Sequence, residues 1–393
     1  MNIPPVTEAA APGVTGPPRP AHRDGPPRSS SFVLAGRALP LVSPARVYLC
    51  GITPYDVTHL GHAATFIWAD AAGAVLRLAG VDVVSCRNVT DIDDVLTDAA
   101  ARRGRPYEEF AVTQEYLFDQ DMAALRVRRP THAPRAHRYV DRVVQLAAAL
   151  LATGHGYERD GQVYFRGRTT AEHAGRVGDT VGHGEPADDP LRDDPADVAV
   201  WRRSGPGDPV WPSPWGPGRP GWHAECAAIA AGVLGPSVDL VAGGDDLTYP
   251  HHAYQAAMVE AATGVGPFAR ARMPVGAVRL DGHKMAKSAG NLVLVGDLLR
   301  GRPGVAVRLM VLDRRWHAPW DYRPAALDAA AARLERLYSA AGRAAPTPAG
   351  STPAVEEVTR ALLTDLDVPR ALDVAEEAGG EAARLALRTL ALS

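Results

Sequence analysis

The chain of 393 residues is longer than one ordinary domain, and its 46% hydrophobic content can build more than one core, which excludes a wholly disordered or fibrous protein. A formal charge of −3 gives no global attraction to nucleic acid or an anionic membrane, so a polyanion site has to be local. No run approaches the roughly eighteen uninterrupted apolar residues of a membrane span, and the N-terminus lacks a charged start followed by an apolar stretch, so a cytoplasmic protein is predicted.

Residues 1–30 are rich in Pro, Gly, Ala and Ser without periodicity and read as a disordered extension. Short strands are predicted at Phe32 to Leu34 and Leu39 to Val42, and a clear one at Arg46 to Cys50. Gly51-Ile-Thr-Pro-Tyr-Asp56 stops that strand, and His59-Leu-Gly-His62 opens a segment with helical spacing to about Leu78. A strand, a turn and a helix opening on a histidine pair suit a nucleotide-binding α/β unit, because helix-start amides receive anionic oxygens. Val81 to Cys86 reads as the next strand, followed by Asn88-Val-Thr90-Asp-Ile-Asp-Asp94 and a capped helix to about Arg103.

From Tyr107 to about Arg166 the pattern is mostly helical, broken at Pro130 and Pro134, with a hairpin around Asp160-Gly161. Residues 182–221, rich in Gly, Pro, Asp and Trp, read as an ordered loop region. Val238 to Ala242 is a strand leading into Gly243-Gly244-Asp245-Asp246, then Tyr249-Pro-His-His252 and a helix to about Ala262. After Asn291 the pattern is helical, interrupted from Ala344 to Pro353. The predicted organisation is a first catalytic half over 31–106, a helical insertion over 107–180, a second half with a phosphate loop over 181–295, and a helical C-terminal region over 296–393.

The three cysteines, Cys50, Cys86 and Cys226, are too few and scattered for a disulfide framework, and read as buried thiols or metal ligands. Only two of the 42 basic side chains are lysines, Lys284 and Lys287, three residues apart. Arginine serves wherever a generic positive charge suffices. The surviving lysines therefore point either to chance or to a site that needs a compact ammonium, such as phosphate oxygens. Two imidazoles at a helix start and two ammoniums on a Gly-flanked loop can together surround a triphosphate and stabilise charge growing on its α-phosphate.

His59-Leu-Gly-His62 and Lys284-Met-Ala-Lys287-Ser288, in that order, resemble the two signature motifs of class I aminoacyl-tRNA synthetases, with Ala286 where serine is usual. Three further stretches resemble the cysteinyl-tRNA synthetases and their relatives, the mycothiol ligases. They are Tyr48 to Asp56, Asn88 to Asp94, and Trp211 to Cys226. Ile52-Thr-Pro-Tyr-Asp56 followed by Thr58 to Thr65 follows the ligase spelling. The resemblance covers roughly residues 45–320. It implies an α/β, class I synthetase-like Rossmann domain with a helical insertion and a small C-terminal helical bundle, using ATP with Mg2+ and cysteine.

The resemblance also assigns residues. His59, His62, Lys284 and Lys287 would be catalytic, contacting ATP and neutralising its phosphates. Cys50, Gly51, Ile52, Thr53, Thr65, Asn88, Val89, Thr90, Trp222, Gly244, Asp245, Asp246, Val278 and Ser288 would bind cysteine or the adenylate. Cys50, Cys226 and His251 match zinc ligands, although their spacing fits no compact zinc motif. The glutamate that completes the set in the tRNA synthetases is Gln255 here, which leaves an open coordination position for a substrate thiolate. Cys86 has no counterpart and reads as a core residue, and His252 as a supporting or structural one. Taken alone, Trp222 would read as core packing.

Ala253, Ala242 and the segment Glu185 to Pro190 depart from the ligase pattern, and the last bears on the acceptor side of the site. From Asp321 to Ser393 there are eleven acidic and eight basic residues, a balance that suits a small helical bundle rather than an anticodon-reading surface. The expected partners are therefore small molecules, cysteine, ATP and an amino sugar, with no nucleic acid and no membrane. A cysteinyl-tRNA synthetase, a diverged paralogue using another amine and a non-catalytic cysteine-binding protein stand as the alternatives.

Overall fold

The computed structural model describes residues 31–55, 57–176, 189–205, 207–285, 290–343 and 348–393. The expected disordered extension over 1–30, most of Glu185 to Pro190, and Ala286, Lys287 and Ser288 of the phosphate loop lie outside these residues.

In chain order the first half comprises β1 (Ser31–Leu34), β2 (Arg37–Pro40), β3 (Ala45–Ile52), α1 (Leu60–Leu78), β4 (Val83–Val89), α2 (Asp94–Arg102) and α3 (Tyr107–Ala124). The next stretch contributes α4 (Val140–Ala152), β5 (Gly156–Arg159), β6 (Gln162–Phe165), α5 (Arg168–His173), β7 (Val198–Arg203) and β8 (Gly218–Pro220). The second half holds α6 (Trp222–Leu234), β9 (Val238–Gly244), α7 (Ala253–Thr263), β10 (Ala269–Val275), β11 (Val278–Leu280) and β12 (His283–Lys284). The C-terminal part is α8 (Val295–Gly301), α9 (Gly304–Leu312), β13 (Trp320–Asp321), α10 (Pro324–Gly342), α11 (Pro348–Leu363), α12 (Val368–Ala378) and α13 (Gly380–Thr389).

The central sheet is parallel, in the order β10-β9-β3-β4. The chain leaves β3 toward β4 on one side and later returns to β9 on the other, so a crevice opens at the carboxyl ends of β3 and β9, where ligands bind in open α/β sheets. Helix α1 is apolar on most of its circumference because it is covered twice, by the sheet and by the C-terminal helices. One large core surrounds it; a second lies under α4, α6 and α7.

The structure departs from the sequence reading in three places. Strand β4 runs on to Val89, because the backbone of residues 132–135 continues the sheet beside it: Arg87 N–H donates to His132 O at 3.0 Å and Val89 N–H to Pro134 O at 2.8 Å. The hairpin expected around Asp160-Gly161 is present as β5-β6, but β7 and β8, in the stretch expected to be loop, extend it into a four-stranded antiparallel sheet, β5-β6-β7-β8. Its strand β7 is a short, fully buried apolar run, Val198 to Trp201, hidden among Asp, Pro and Gly. Strand β10 carries arginines and Pro274, and both are tolerated because it is the edge of the sheet.

Arg308 of α9 is completely buried and ties the C-terminal part to α1 and α3. Its guanidinium donates to Asp70 at 2.5 Å, to the carbonyls of Leu125 and Arg126 at 3.2 and 3.1 Å, and to that of Leu390 at 2.6 Å.

Candidate active site

The end of β3 approaches the end of β4 so closely that only glycine fits between them: a Cβ on Gly51 would lie 1.6 Å from the backbone oxygen of Asn88. Asn88 is buried and satisfied on both sides of its amide. Its Oδ1 accepts from Gly51 N–H at 2.9 Å and Tyr48 O–H at 3.1 Å, and its Nδ2 donates to Thr90 Oγ1 at 3.0 Å. Thr90 N–H donates to Ile52 O at 2.9 Å, and Thr53 Oγ1–H to Asp93 Oδ2 at 3.3 Å. Gly51, Ile52, Asn88 and Thr90, all expected to bind cysteine or the adenylate, thus form one hydrogen-bonded rim, with Thr53 and Val89 next to them in the chain.

Behind this rim, the thiols of Cys50 and Cys226 and a ring nitrogen of His251 all lie within 4.8 Å of one another, and all three residues are buried. The Cys226 thiol is held well below its ordinary range, first by a hydrogen bond from Cys50 and then by the His251 charge and hydrogen bond; burial opposes this. Cys50, the donor, is pushed up by burial. Two thiols and an imidazole at this separation fit a tetrahedral thiophilic metal. His251 is in turn positioned: Trp222 stacks on its ring at 4.1 Å, and His223 Nδ1 lies 3.0 Å from its Nδ1. His252 Nε2 lies 3.2 Å from Cys50 Sγ. Gln255 has no exposed surface; its Nε2 donates to Cys226 O at 3.2 Å and its Oε1 meets no donor. Cys86 is buried apart from the donor set, and burial followed by the Cys226 charge pushes its thiol up to about 12.

On the other side of β3, His59 and His62 stack at a centroid distance of 3.8 Å at the start of α1. The chain after the phosphate loop runs beside them: Leu60 N–H donates to Val293 O at 2.8 Å, Val295 N–H to Thr58 O at 3.0 Å, and His59 bridges Leu294. The chain that follows the second motif, more than two hundred positions further along the sequence, is therefore paired with the helix start that bears the first. Lys284 reaches Asp246, beyond the end of β9, with Nζ 3.0 Å from Oδ2. A Cβ on Gly244 would lie 3.9 Å from Thr65 Oγ1, which places α1 against the β9 turn where Asp245 also sits. Val278 is buried in β11, and its carbonyl accepts from Met285 N–H at 3.1 Å.

The sequence reading missed His223, Glu225 and the pair Asp91–His137. Glu225 is 3% exposed, and burial together with repulsion from Asp93 and the Cys226 charge raises its carboxyl well above the usual range. A glutamate beside a buried cysteine on a helix start carries no spacing signal, and His137 lies in the insertion, away from every motif.

Residues 41–332 match the class I tRNA synthetase (C) catalytic domain, so the chain belongs to that family of nucleotide-binding α/β enzymes. Within it, the chain belongs to the L-cysteine:1D-myo-inositol 2-amino-2-deoxy-α-D-glucopyranoside ligases. It is 43% identical over 346 residues to that ligase of Parafrankia sp. (strain EAN1pec), covering 86% of this chain and 77% of the relative. It is 44% identical over 339 residues to that of Nocardiopsis dassonvillei, covering 84% and 82%. Among solved structures, the fold is similar to Mycobacterium tuberculosis methionyl-tRNA synthetase in complex with methionyl-adenylate (TM-score 0.63, 18% identity, covering 89% of this chain and 82% of that one). It is also similar to the Agrobacterium radiobacter K84 agnB2 leucyl-tRNA synthetase in a ternary complex (TM-score 0.65, 11% identity, 89% and 83% covered). Among the described residues no helix is long and apolar enough to cross a membrane.

Proposed function

We propose that the protein activates L-cysteine with ATP and joins it to the amine of glucosaminyl-inositol, the step of mycothiol biosynthesis that its relatives are named for. The observation that carries this reading is the pairing of the chain after the second signature motif with the helix start that bears the first, in a domain that also holds the buried Cys50–Cys226–His251 donor set.

Cysteine carboxylate attacks the α-phosphorus of ATP and pyrophosphate leaves; the sugar amine then attacks the carbonyl carbon and AMP leaves. His59, His62, Lys284 and Lys287 surround the phosphates and stabilise the charge that develops on them, with Mg2+ accompanying ATP. Thr53, Thr90 and the stacked Trp222 line the cysteine pocket, and Asp246 orients the adenylate. Cys50, Cys226 and His251 would hold zinc, whose affinity for thiolate over hydroxyl separates cysteine from serine. Gln255, a neutral amide in the position of a carboxylate, leaves that selectivity to the substrate thiol.

Two features favour an amino sugar over tRNA. The C-terminal part is acidic, and Arg333, Arg336, Arg360, Arg370, Arg384 and Arg388 are already engaged by Asp313, Asp373, Glu357, Glu376 and Glu381. Few cations remain there for phosphates. A cytoplasmic location fits reduced thiols at the site.

The test is AMP release by zinc-loaded protein with ATP, Mg2+ and cysteine, adding glucosaminyl-inositol or tRNA. A cysteinyl-sugar formed with the sugar alone supports the reading. Cysteine-dependent pyrophosphate exchange with neither acceptor used refutes the acceptor assignment, and loss of exchange refutes the adenylate chemistry.

A further inference from the structure

The transfer step needs a proton acceptor. The incoming amine becomes cationic as its nitrogen bonds to the carbonyl carbon, and the roles assigned above concern the phosphates, the thiol and the adenylate. A histidine at the mouth of the crevice, His137, is held in the manner of a general base. His137 Nδ1 lies 2.5 Å from Asp91 Oδ2, and the backbone N–H of the same residue donates to Asp91 Oδ1 at 3.0 Å. Asp91 therefore grips both the backbone and the ring of His137. The carboxylate is 8% exposed and the imidazole 39% exposed, so the pair is buried on the side of the orienting acid and open on the other. A carboxylate on Nδ1–H fixes the tautomer that leaves Nε2 free to accept a proton.

The backbone places this pair at the reaction end of the sheet. Residues 132–135 run alongside β4, Arg135 bridges Val89, and the next turn, Ala136–Arg138, carries His137 past the end of that strand. Asp91 immediately follows Thr90, which is bonded to Ile52 and to Asn88 in the cysteine-pocket rim. Three neighbouring chain segments thus end side by side, bearing Thr53, Thr90 with Asp91, and His137. At the strand spacing of about 4.8 Å, His137 lies roughly 10 Å across the mouth from β3, a span that a two-ring amino sugar can bridge.

We propose that His137, positioned by Asp91, is the proton acceptor of the amide-forming step, an inference that rests on the amine-acceptor reading above. The amine nitrogen forms the C–N bond, the bond from carbonyl carbon to phosphate oxygen breaks with AMP taking the electron pair, and the nitrogen's proton passes to Nε2 of His137 and then to solvent. His137 is a catalytic residue in this scheme and Asp91 a positioning residue.

The test separates the two half-reactions in zinc-loaded wild type, His137→Ala and His137→Gln. Cysteine-dependent pyrophosphate exchange also reports that each variant is folded. Exchange should stay within about twofold of wild type in both, while single-turnover transfer from preformed cysteinyl-adenylate to glucosaminyl-inositol falls by about 100-fold or more. The loss should appear in kcat with the amino-sugar KM little changed, and added imidazole should restore part of the rate to His137→Ala and not to His137→Gln. Transfer at wild-type rate, equal losses in exchange and transfer, or a loss confined to KM would each overturn the proposal. A wild-type enzyme that exchanges pyrophosphate but leaves the amino sugar unused refutes the acceptor reading itself, and the inference with it.

Discussion

Gly51→Ala puts a methyl group where β3 and β4 converge. The new Cβ would sit 1.6 Å from Asn88 O and 2.7 Å from its carbonyl carbon, where ordinary contact begins near 3.4 Å. The strands must part by roughly 2 Å, and the obstructing atoms are backbone rather than a flexible side chain. Parting them breaks Gly51 N–H to Asn88 Oδ1 and Thr90 N–H to Ile52 O. Two hydrogen bonds at about 1 kcal/mol each, plus about 1–3 kcal/mol of overpacking, give a cost of about 3–5 kcal/mol. For a chain of this size that corresponds to a Tm lowered by about 4–6 °C. Thermal unfolding followed by circular dichroism measures it. Because Cys50 precedes the displaced residue and Thr53 follows it by two, the cysteine KM in pyrophosphate exchange should rise at least about tenfold as well. A variant with a Tm within about 2 °C of wild type and an unchanged cysteine KM would refute the argument from close approach.

Arg308→Met removes a buried guanidinium that holds Asp70 and three carbonyls; a loss of about 3–5 kcal/mol is expected in denaturant titration, and an unchanged midpoint would contradict it. Cys226→Ser should bring bound zinc, measured by elemental analysis, from one per chain to a small fraction, whereas Cys86→Ala should leave it at one; equal zinc content in the two variants would remove Cys226 from the donor set. Trp222→Ala takes away the ring stacked on His251 and should raise the cysteine KM by about tenfold or more while the ATP KM stays within about twofold. A change in the ATP KM alone would place Trp222 elsewhere.

How much of this was legible in the sequence depends on whether the signal was local. The strand into Gly51, the helix opening on His59 and His62, and the lysine pair carry their chemistry within a few residues, and they led to the α/β fold and its family. The donor set could not be read from spacing, because Cys50, Cys226 and His251 come from three distant elements that only the sheet order brings together. Strands β7 and β10 were not legible because one is too short and too buried to alternate and the other is an edge that accepts arginine and proline. His137 was silent because its meaning comes from Asp91, which reaches it across a strand pairing that begins at His132.

The spread of the donor set also bears on when metal enters. In compact zinc modules the ligands sit within one short loop, so the metal organises the chain and folding waits for it. Here Cys50 and Cys226 approach each other only after the parallel sheet has closed a connection spanning most of the catalytic domain, a slow, non-local event whose entropic cost no isolated ligand pair can offset. An unfolded chain therefore presents no preformed site, and a metal held by this set would stabilise the folded protein by mass action rather than by nucleating it. If the set holds zinc as proposed, zinc shortage would leave folded, metal-free chains that recover on resupply without new synthesis.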